Sequence, residues 1–140
     1  MPLAPFARVL GANNDVRLAV VGIGSTVKIG GKGKQDIRDF RKVPGVRIVA
    51  LCDVDAGERT GKIFALYPKA VKYRDYREML DKQKDIDAVL IATPDHTHAM
   101  IAMAAMRAGK HVYCQKPLVQ TISEARLLRK LAKQHGVVTQ

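Results

Sequence analysis

The sequence predicts an α/β fold in which a single domain forms a doubly wound parallel sheet. Short apolar runs rich in β-branched residues alternate with segments whose apolar residues recur at helical spacing. One of these runs, residues 88–92, is continuously apolar, as is typical of a parallel strand covered on both faces. This alternation favours helices on both faces of the sheet, and the expected strand order is 3-2-1-4-5-6.

The length of 140 residues is that of one domain with a real hydrophobic core. Residues 1–15 contain two prolines, a glycine and an Asn-Asn pair, so we expect them to form a flexible lead-in. The folded domain is expected to cover residues 16–140.

The first half of the chain predicts three strands, at residues 16–21, 46–53 and 70–72. Between the first two, Ile37, Phe40 and Val43 recur at helical spacing until Pro44 and Gly45 end the helix. Two further helices are expected to begin at pairs of acidic residues with capping-box spacing, and these pairs are Asp55 with Glu58 and Asp75 with Glu78.

The second half predicts a fourth strand at residues 87–92 and a fifth at 111–114. The helix between them is rich in Ala and Met and is expected to end with Gly109 at the C′ position. Thr121 and Glu124 predict a capping box for a last helix, which Gly136 terminates. Residues 137–139 are expected to begin a sixth strand.

A group of glycines follows the first predicted strand. The literal pattern G-x-G-x-x-G fails because Val27 stands where the third glycine should be. If Ser25 to Gly30 are an insertion, Gly31 and Gly33 complete the pattern begun by Gly22 and Gly24. An acidic residue is then expected about 20 residues on, and Asp53 lies 20 positions after Gly33, at the end of the second strand. Together these features predict a Rossmann-like dinucleotide site.

In this interpretation the four glycines let the backbone approach a pyrophosphate, and Asp53 accepts hydrogen bonds from the adenosine ribose. The charge of Asp53 would repel a 2′-phosphate, which favours NAD. Lys28, Lys32 and Lys34 crowd the same loop, so NADP remains possible. The alternative is an ordinary strand-to-helix turn followed by a turn aspartate.

The formal net charge of +11 suits either an anion-binding cleft or nucleic acid. The basic residues are scattered over nearly every predicted helix, and aromatic residues are few, so nucleic acid is the weaker hypothesis. Cys52 and Cys114 lie in apolar strands and are expected to be buried, reduced core residues. No apolar run approaches the ~18 residues of a membrane helix, and the cytoplasm is the expected location.

Two further candidate groups follow the fourth and fifth strands. His96 and His98 lack a third ligand nearby in sequence, so we predict no metal site and expect both to face a cleft at the start of a helix. Lys116, in the sequence Gln-Lys-Pro after the fifth strand, is the best candidate for acid–base chemistry. The alternative for Lys116 is a solvated surface lysine before a turn proline.

Four segments resemble the N-terminal half of the Gfo/Idh/MocA oxidoreductases, and these are residues 20–24, 51–55, 92–98 and 108–118. The resemblance implies NAD- or NADP-dependent oxidation or reduction of sugars, inositols, related polyols or dihydrodiols. It also implies that Thr93 and Pro94 pack near the nicotinamide ribose and that Lys116 assists proton transfer. The expected cofactor-binding residues are Gly22, Ile23, Gly24, Gly31, Lys32, Gly33, Asp53, Thr93, Pro94, His96, Gln115, Lys116 and Pro117.

The sequence departs from the family pattern in three ways. Gln115 replaces the glutamate of the family's E-K-P motif, the glycine loop carries six extra residues, and no segment corresponds to the family's C-terminal substrate domain. Two hypotheses therefore compete. The chain is either the cofactor domain of a sugar- or polyol-type dehydrogenase, inactive alone, or a non-catalytic dinucleotide-binding or basic anion-binding module or truncated product. Substrate identity and oligomeric state stay open.

Overall fold

The computed structural model describes residues 15–24 and 31–140, which form a parallel sheet flanked by helices. The five strands found in these ranges are β1 (Val16–Val21), β2 (Val46–Cys52), β3 (Val71–Tyr73), β4 (Ala88–Ile91) and β5 (His111–Cys114). The α-helices in the same ranges are α1 (Lys32–Phe40), α2 (Glu58–Leu66), α3 (Tyr76–Lys82), α4 (His98–Arg107) and α5 (Ile122–His135). The lead-in up to residue 14 and the Ser25–Gly30 insertion lie outside the described residues.

The strand order is β3-β2-β1-β4-β5, and every neighbouring pair is parallel. This confirms the predicted doubly wound order for these strands. From β1 the strands β2 and β3 extend the sheet to one side, and β4 and β5 extend it to the other. The switch point of the sheet therefore lies between the neighbouring strands β1 and β4. In such sheets the carboxyl ends of the strands at this switch point form a crevice that binds ligands.

Alternate residues of the strands enter two separate cores. Leu18 and Val20 of β1 pack in one core with Ile37 of α1 and Ile63 of α2. Ala19 and Val21 point the other way, into a core built with residues of α3, α4 and α5, among them Met79, Ala102 and Leu128. The sheet is therefore covered on both faces, as the continuous apolar run of β4 predicted.

The predicted sixth strand is not formed as a regular strand in the part of the chain described. Thr139 makes an isolated parallel bridge with Val112 of β5. The backbone N–H of Val112 donates to the Val138 carbonyl at 3.0 Å, and that of Cys114 donates to Gln140 at 2.9 Å. The last residues thus lie along the outer edge of β5.

The helix-start signals succeed in two of three cases. Thr121 and Glu124 form the predicted capping box of α5, and the Asp75 side chain caps α3 by accepting from the Arg77 N–H. The prediction that Asp55 caps α2 was wrong, because the N-cap of that helix is Gly57. The Asp55 carboxylate instead accepts the Gly57 N–H at 2.7 Å, closing a turn before the helix begins.

The predicted helix ends hold for the later helices and fail for the first. Gly109 follows α4 with φ +70°, and Gly136 ends α5 in the left-handed region with φ +62°. Helix α1 ends at Phe40, so Val43 lies outside it and is 46% exposed. Hydrogen bonds from Lys42 to Asp39 and from Val43 to Phe40 close tight turns there, which replace the last helical turn. No helix in the described ranges has the length and apolar character needed to span a membrane.

Candidate functional site

A cavity of about 910 Å³ opens at the carboxyl ends of β1, β2 and β4. Its wall contains seven of the residues predicted to bind a cofactor, namely Gly22, Gly24, Lys32, Asp53, Thr93, Pro94 and His96. The other six predicted residues, Ile23, Gly31, Gly33, Gln115, Lys116 and Pro117, do not line it. The volume lies within the range of small-molecule and cofactor sites.

The turn after β1 is formed by glycines with positive φ, +82° at Gly22 and +85° at Gly24. A Cβ at Gly22 would lie 2.7 Å from the backbone of Ala92 and Thr93 after β4. A Cβ at Gly33 would lie 2.0 Å from the Gly22 carbonyl oxygen. The start of α1 therefore packs directly against the turn, and Gly33 occupies the place of the third glycine once residues 25–30 are set aside.

Among the described residues, no side chain caps the N-terminus of α1. Its N-cap is Gly31, no side chain hydrogen-bonds the first turn in the described residues, and that turn holds no acidic residue. The first N–H groups of a helix need acceptors, and the helix dipole favours an anion there. This arrangement fits the diphosphate of a dinucleotide, which supplies both the acceptors and the negative charge.

Asp53 lies beside the glycine turn, immediately after β2. Its Oδ2 accepts the Ile23 N–H at 3.0 Å, and its Oδ1 accepts the Asp55 N–H at 3.0 Å. Burial raises the pKa of Asp53, and these two backbone hydrogen bonds oppose the rise. Each carboxylate oxygen can accept a second hydrogen bond. The side chain is thus fixed in the cavity wall with acceptor capacity left for a ribose.

Residues just beyond Asp53 complete this end of the cavity, and sequence reasoning did not single them out. Val54 is 78% exposed, and Arg74 donates from Nη2 to its carbonyl oxygen at 3.0 Å. Arg59, from the first turn of α2, also lines the wall. Arg74 follows β3 directly, so its position at a strand end was the available signal.

The loop between β4 and α4 is held by hydroxyl and imidazole groups. The Thr97 Oγ1 lies 2.7 Å from the Thr93 Oγ1 and 2.7 Å from the Pro94 carbonyl oxygen. His96 is exposed and lines the cavity, as predicted. The expectation that His98 also faces a cleft was wrong, because His98 is only 1% exposed. It starts α4 on the side that packs inward.

The buried imidazole of His98 joins two loops. Its Nδ1 lies 2.7 Å from the Pro117 carbonyl oxygen, and its Nε2 lies 2.8 Å from the Thr93 carbonyl oxygen. The loop after β4 and the turn after β5 are therefore fixed relative to each other. Lys116 in that turn is exposed and precedes a cis peptide bond to Pro117.

The side chains of Lys32 and Gln115 both contact the carboxylate of Asp36. The Lys32 Nζ lies 2.7 Å from the Asp36 Oδ1, and this hydrogen bond raises the pKa of Lys32. The Gln115 Nε2 donates to the Asp36 Oδ2 at 2.7 Å. Lys34 is exposed, and Lys28 lies outside the described residues. The loop's positive charge is therefore partly balanced within the protein.

Neither cysteine is ionised at neutral pH. Burial raises the pKa of Cys52 to about 12 and that of Cys114 to about 11, so both remain protonated thiols at neutral pH. Cys52 is buried and Cys114 is half-buried. Within residues 15–24 and 31–140, no group of three or more His, Cys, Asp or Glu side chains could hold a metal ion.

Comparisons with known proteins agree with this geometry. Residues 16–140 match the family GFO_IDH_MocA, described as an oxidoreductase family with an NAD-binding Rossmann fold. Inositol 2-dehydrogenase of Salmonella paratyphi B is 30% identical over 122 residues, which are 86% of this chain and 34% of that protein. The chain spans about a third of the length of the relatives it matches.

Solved structures give the same result. The myo-inositol 2-dehydrogenase of Lactobacillus plantarum superposes with a TM-score of 0.78 and 29% identity, over 91% of this chain and 36% of that one. Biliverdin reductase from Synechocystis, solved with biliverdin and NADP⁺, gives a TM-score of 0.76 and 27% identity over 89% and 36% of the two chains. By the family match, its relatives and its fold, this chain belongs to the Gfo/Idh/MocA oxidoreductases, as their NAD-binding Rossmann domain.

Proposed function

We propose that this chain binds NAD for an oxidoreductase that transfers hydride between the nicotinamide and a hydroxyl-bearing carbon of an inositol, sugar or related polyol. The substrate class is supported by inositol 2-dehydrogenases among the relatives. Those relatives are about three times as long as this chain, so the substrate-binding groups are expected from a further domain. The chain alone is then a binding protein for the dinucleotide.

One observation carries the proposal, namely the contact between Asp53 and the glycine turn. The Asp53 carboxylate accepts the Ile23 N–H, while Gly33 brings the start of α1, whose N-cap is Gly31, against the same turn. A ribose acceptor and a diphosphate cradle are thus adjacent, as a dinucleotide requires. An ordinary strand-to-helix turn needs neither the close packing nor the acid.

Charge at the adenosine end favours NAD over NADP. Asp53 and Asp55 both line this part of the cavity, and a 2′-phosphate there would meet their negative charge. Arg59 and Arg74 lie in the same wall and are the residues that would accommodate a 2′-phosphate. Two backbone hydrogen bonds fix the Asp53 carboxylate in place. Because its negative charge is held there, it would repel a 2′-phosphate, and this is our reason for assigning NAD.

Lys116 is the proposed acid–base group of the complete enzyme. The bound cofactor supplies the hydride chemistry, and Lys116 holds or releases the proton of the substrate hydroxyl. Its backbone is anchored on both sides, because Gln115 contacts Asp36 and the Pro117 carbonyl contacts His98. The exposed side chain becomes shielded from water only when the substrate domain covers it.

Calorimetric titration of the chain with NAD⁺ and NADP⁺ tests the cofactor assignment. We expect saturable binding of NAD⁺, and we expect Asp53→Ala to weaken NAD⁺ at least about tenfold while changing NADP⁺ much less. Asp81→Ala is the matched control, because Asp81 is an exposed acid on α3 away from the cavity. Absence of binding to either dinucleotide at millimolar concentration would refute the proposal.

A further inference from the structure

Asp36 is a buried carboxylate that the proposed reaction does not use. It is 6% exposed, and the only other buried polar side chains in the described ranges are Thr60 and His98. Both of its oxygens are engaged, Oδ1 with the Lys32 Nζ and Oδ2 with the Gln115 Nε2, each at 2.7 Å. A buried charge is stable only when it is paired and hydrogen-bonded, so both contacts matter to the carboxylate.

The contact between Asp36 and Gln115 crosses the switch point of the sheet. Asp36 lies on α1, whose first turn packs against the glycine turn after β1, and Gln115 directly follows β5. A second contact between the same elements, the edge-to-face pair of Phe40 and Tyr113 with ring centroids 5.1 Å apart, brings them together in the core. The polar pair therefore links the diphosphate end of the site to the turn that carries Lys116.

The chemistry of this pair dictates which side chain position 115 can carry. An ionised carboxylate only accepts hydrogen bonds, so its partner must donate. The Gln115 amide donates, whereas a glutamate at the same position would bring a second carboxylate within hydrogen-bond distance of the first. Asp36 thus gives a physical reason for glutamine where the resembled E-K-P motif has glutamate.

We infer that Asp36 is a positioning residue, which holds the Gln115–Pro117 turn against α1 and makes an amide at position 115 necessary for cofactor binding. The effect of Asp36 on cofactor binding rests on the proposed function, whereas the pairing of Asp36 with Gln115 does not. The inference makes a reciprocal prediction. Gln115→Glu alone should lower NAD⁺ affinity and stability. Adding Asp36→Asn, which exchanges the amide and the acid between the two positions, should restore both.

The experiment compares Gln115→Glu, Asp36→Asn and the double variant Asp36→Asn/Gln115→Glu in the full chain. NAD⁺ affinity is measured by calorimetry and the thermal unfolding midpoint by circular dichroism. Asp39→Asn is the matched control on the same helix, because Asp39 is exposed and pairs with Lys42. The double variant Asp39→Asn/Gln115→Glu removes the same charge without placing an amide opposite position 115.

We expect Gln115→Glu to weaken NAD⁺ binding at least about tenfold and to lower the unfolding midpoint. The double variant with Asp36→Asn should recover both to within about threefold and a few degrees of the original chain, whereas the one with Asp39→Asn should not. Additive losses in the exchanged variant, or full binding by Gln115→Glu alone, would overturn the inference.

Failure of the proposed function gives a different result. If the unaltered chain binds no NAD⁺, the role of Asp36 in cofactor binding is overturned with that proposal. The unfolding midpoints then decide the pairing alone. Recovery in the exchanged variant upholds it, and additive losses refute it.

Discussion

At the scale of single residues, the site depends on a carboxylate in an unusual setting. Asp53 is partly removed from water yet accepts two backbone N–H groups, one from the glycine turn and one from its own loop. Sequence spacing predicted the residue and its proximity to the glycines. It did not predict the hydrogen bond to Ile23, because that contact depends on the exact path of the turn.

The raised pKa of Asp53 predicts opposite pH dependences for binding and for stability. If Asp53 binds the ribose as proposed, binding needs its ionised form, so NAD⁺ affinity should fall as pH falls through the raised pKa, before an ordinary aspartate with a pKa of 3.8 would protonate. In the free chain the folded state binds the proton more readily than the unfolded state. The free energy of unfolding contributed by this group should therefore decrease as pH rises from 3.8 through the raised pKa.

Calorimetry of NAD⁺ binding between about pH 7 and pH 4, together with urea denaturation of the free chain, measures both effects. Asp53→Ala is the control and should show a flatter binding profile across this range. Affinity of the unaltered chain that stays constant down to the ordinary aspartate range would contradict the assigned role.

Gly33 offers a second test at this scale. In Gly33→Ala the new Cβ would lie 2.0 Å from the Gly22 carbonyl oxygen, so the helix start must move away from the turn. We expect a loss of at least about 2 kcal/mol in the free energy of unfolding, measured in urea. Gly61→Ala in α2 is the control, because its Cβ meets nothing within 4 Å.

The control should be neutral or should stabilise the chain by about 0.5 to 1 kcal/mol, as alanine replaces glycine within a helix. Equal stability of Gly33→Ala and the original chain would mean that the turn and the helix do not pack as described.

At the scale of elements, sequence signals worked where one local interaction decides the outcome. The Thr121–Glu124 box and the glycine after α4 depend only on neighbouring residues. Asp55 does not cap α2 because its carboxylate accepts the Gly57 N–H in a turn before the helix. Residue propensities do not show which of two local hydrogen bonds, the turn or the cap, an aspartate will form. Position 115 shows a different limit, since Asp36 lies 79 residues away in sequence.

The capping box of α5 makes a prediction for that helix. Thr121→Ala removes the acceptor of the Glu124 N–H and should lower the free energy of unfolding by about 1 kcal/mol in urea denaturation. Lys130→Ala, an exposed change within the same helix, should have little effect. An equal loss in both variants would show that the cap contributes nothing.

His98 makes a prediction for the loops that it joins. His98→Leu removes both ring contacts and leaves the Thr93 and Pro117 carbonyls without this partner, which should cost about 2 kcal/mol of folding free energy. His96→Leu is the comparison, because that neighbouring histidine is exposed. Chemical denaturation distinguishes them, and similar stabilities would contradict the structural role of His98.

At the scale of the whole molecule, strand alternation alone was enough to predict the sheet order and the two-sided covering. Parallel βαβ units leave few arrangements, so the order of the five strands followed from periodicity and connection rules. In the described residues the predicted sixth strand is present only as an isolated bridge between Thr139 and Val112. The net charge of +11 is compatible with an anionic ligand but does not identify one.

We propose that the turn after β1 holds a diphosphate while Asp53 binds the neighbouring ribose. Titration of the ¹⁵N-labelled chain with NAD⁺, followed by two-dimensional NMR, tests it most directly. We expect saturable shifts that are largest at the backbone N–H groups of Gly22, Ile23 and Gly24 and at the start of α1. Saturable shifts confined to other surfaces, or none at millimolar NAD⁺, would contradict it.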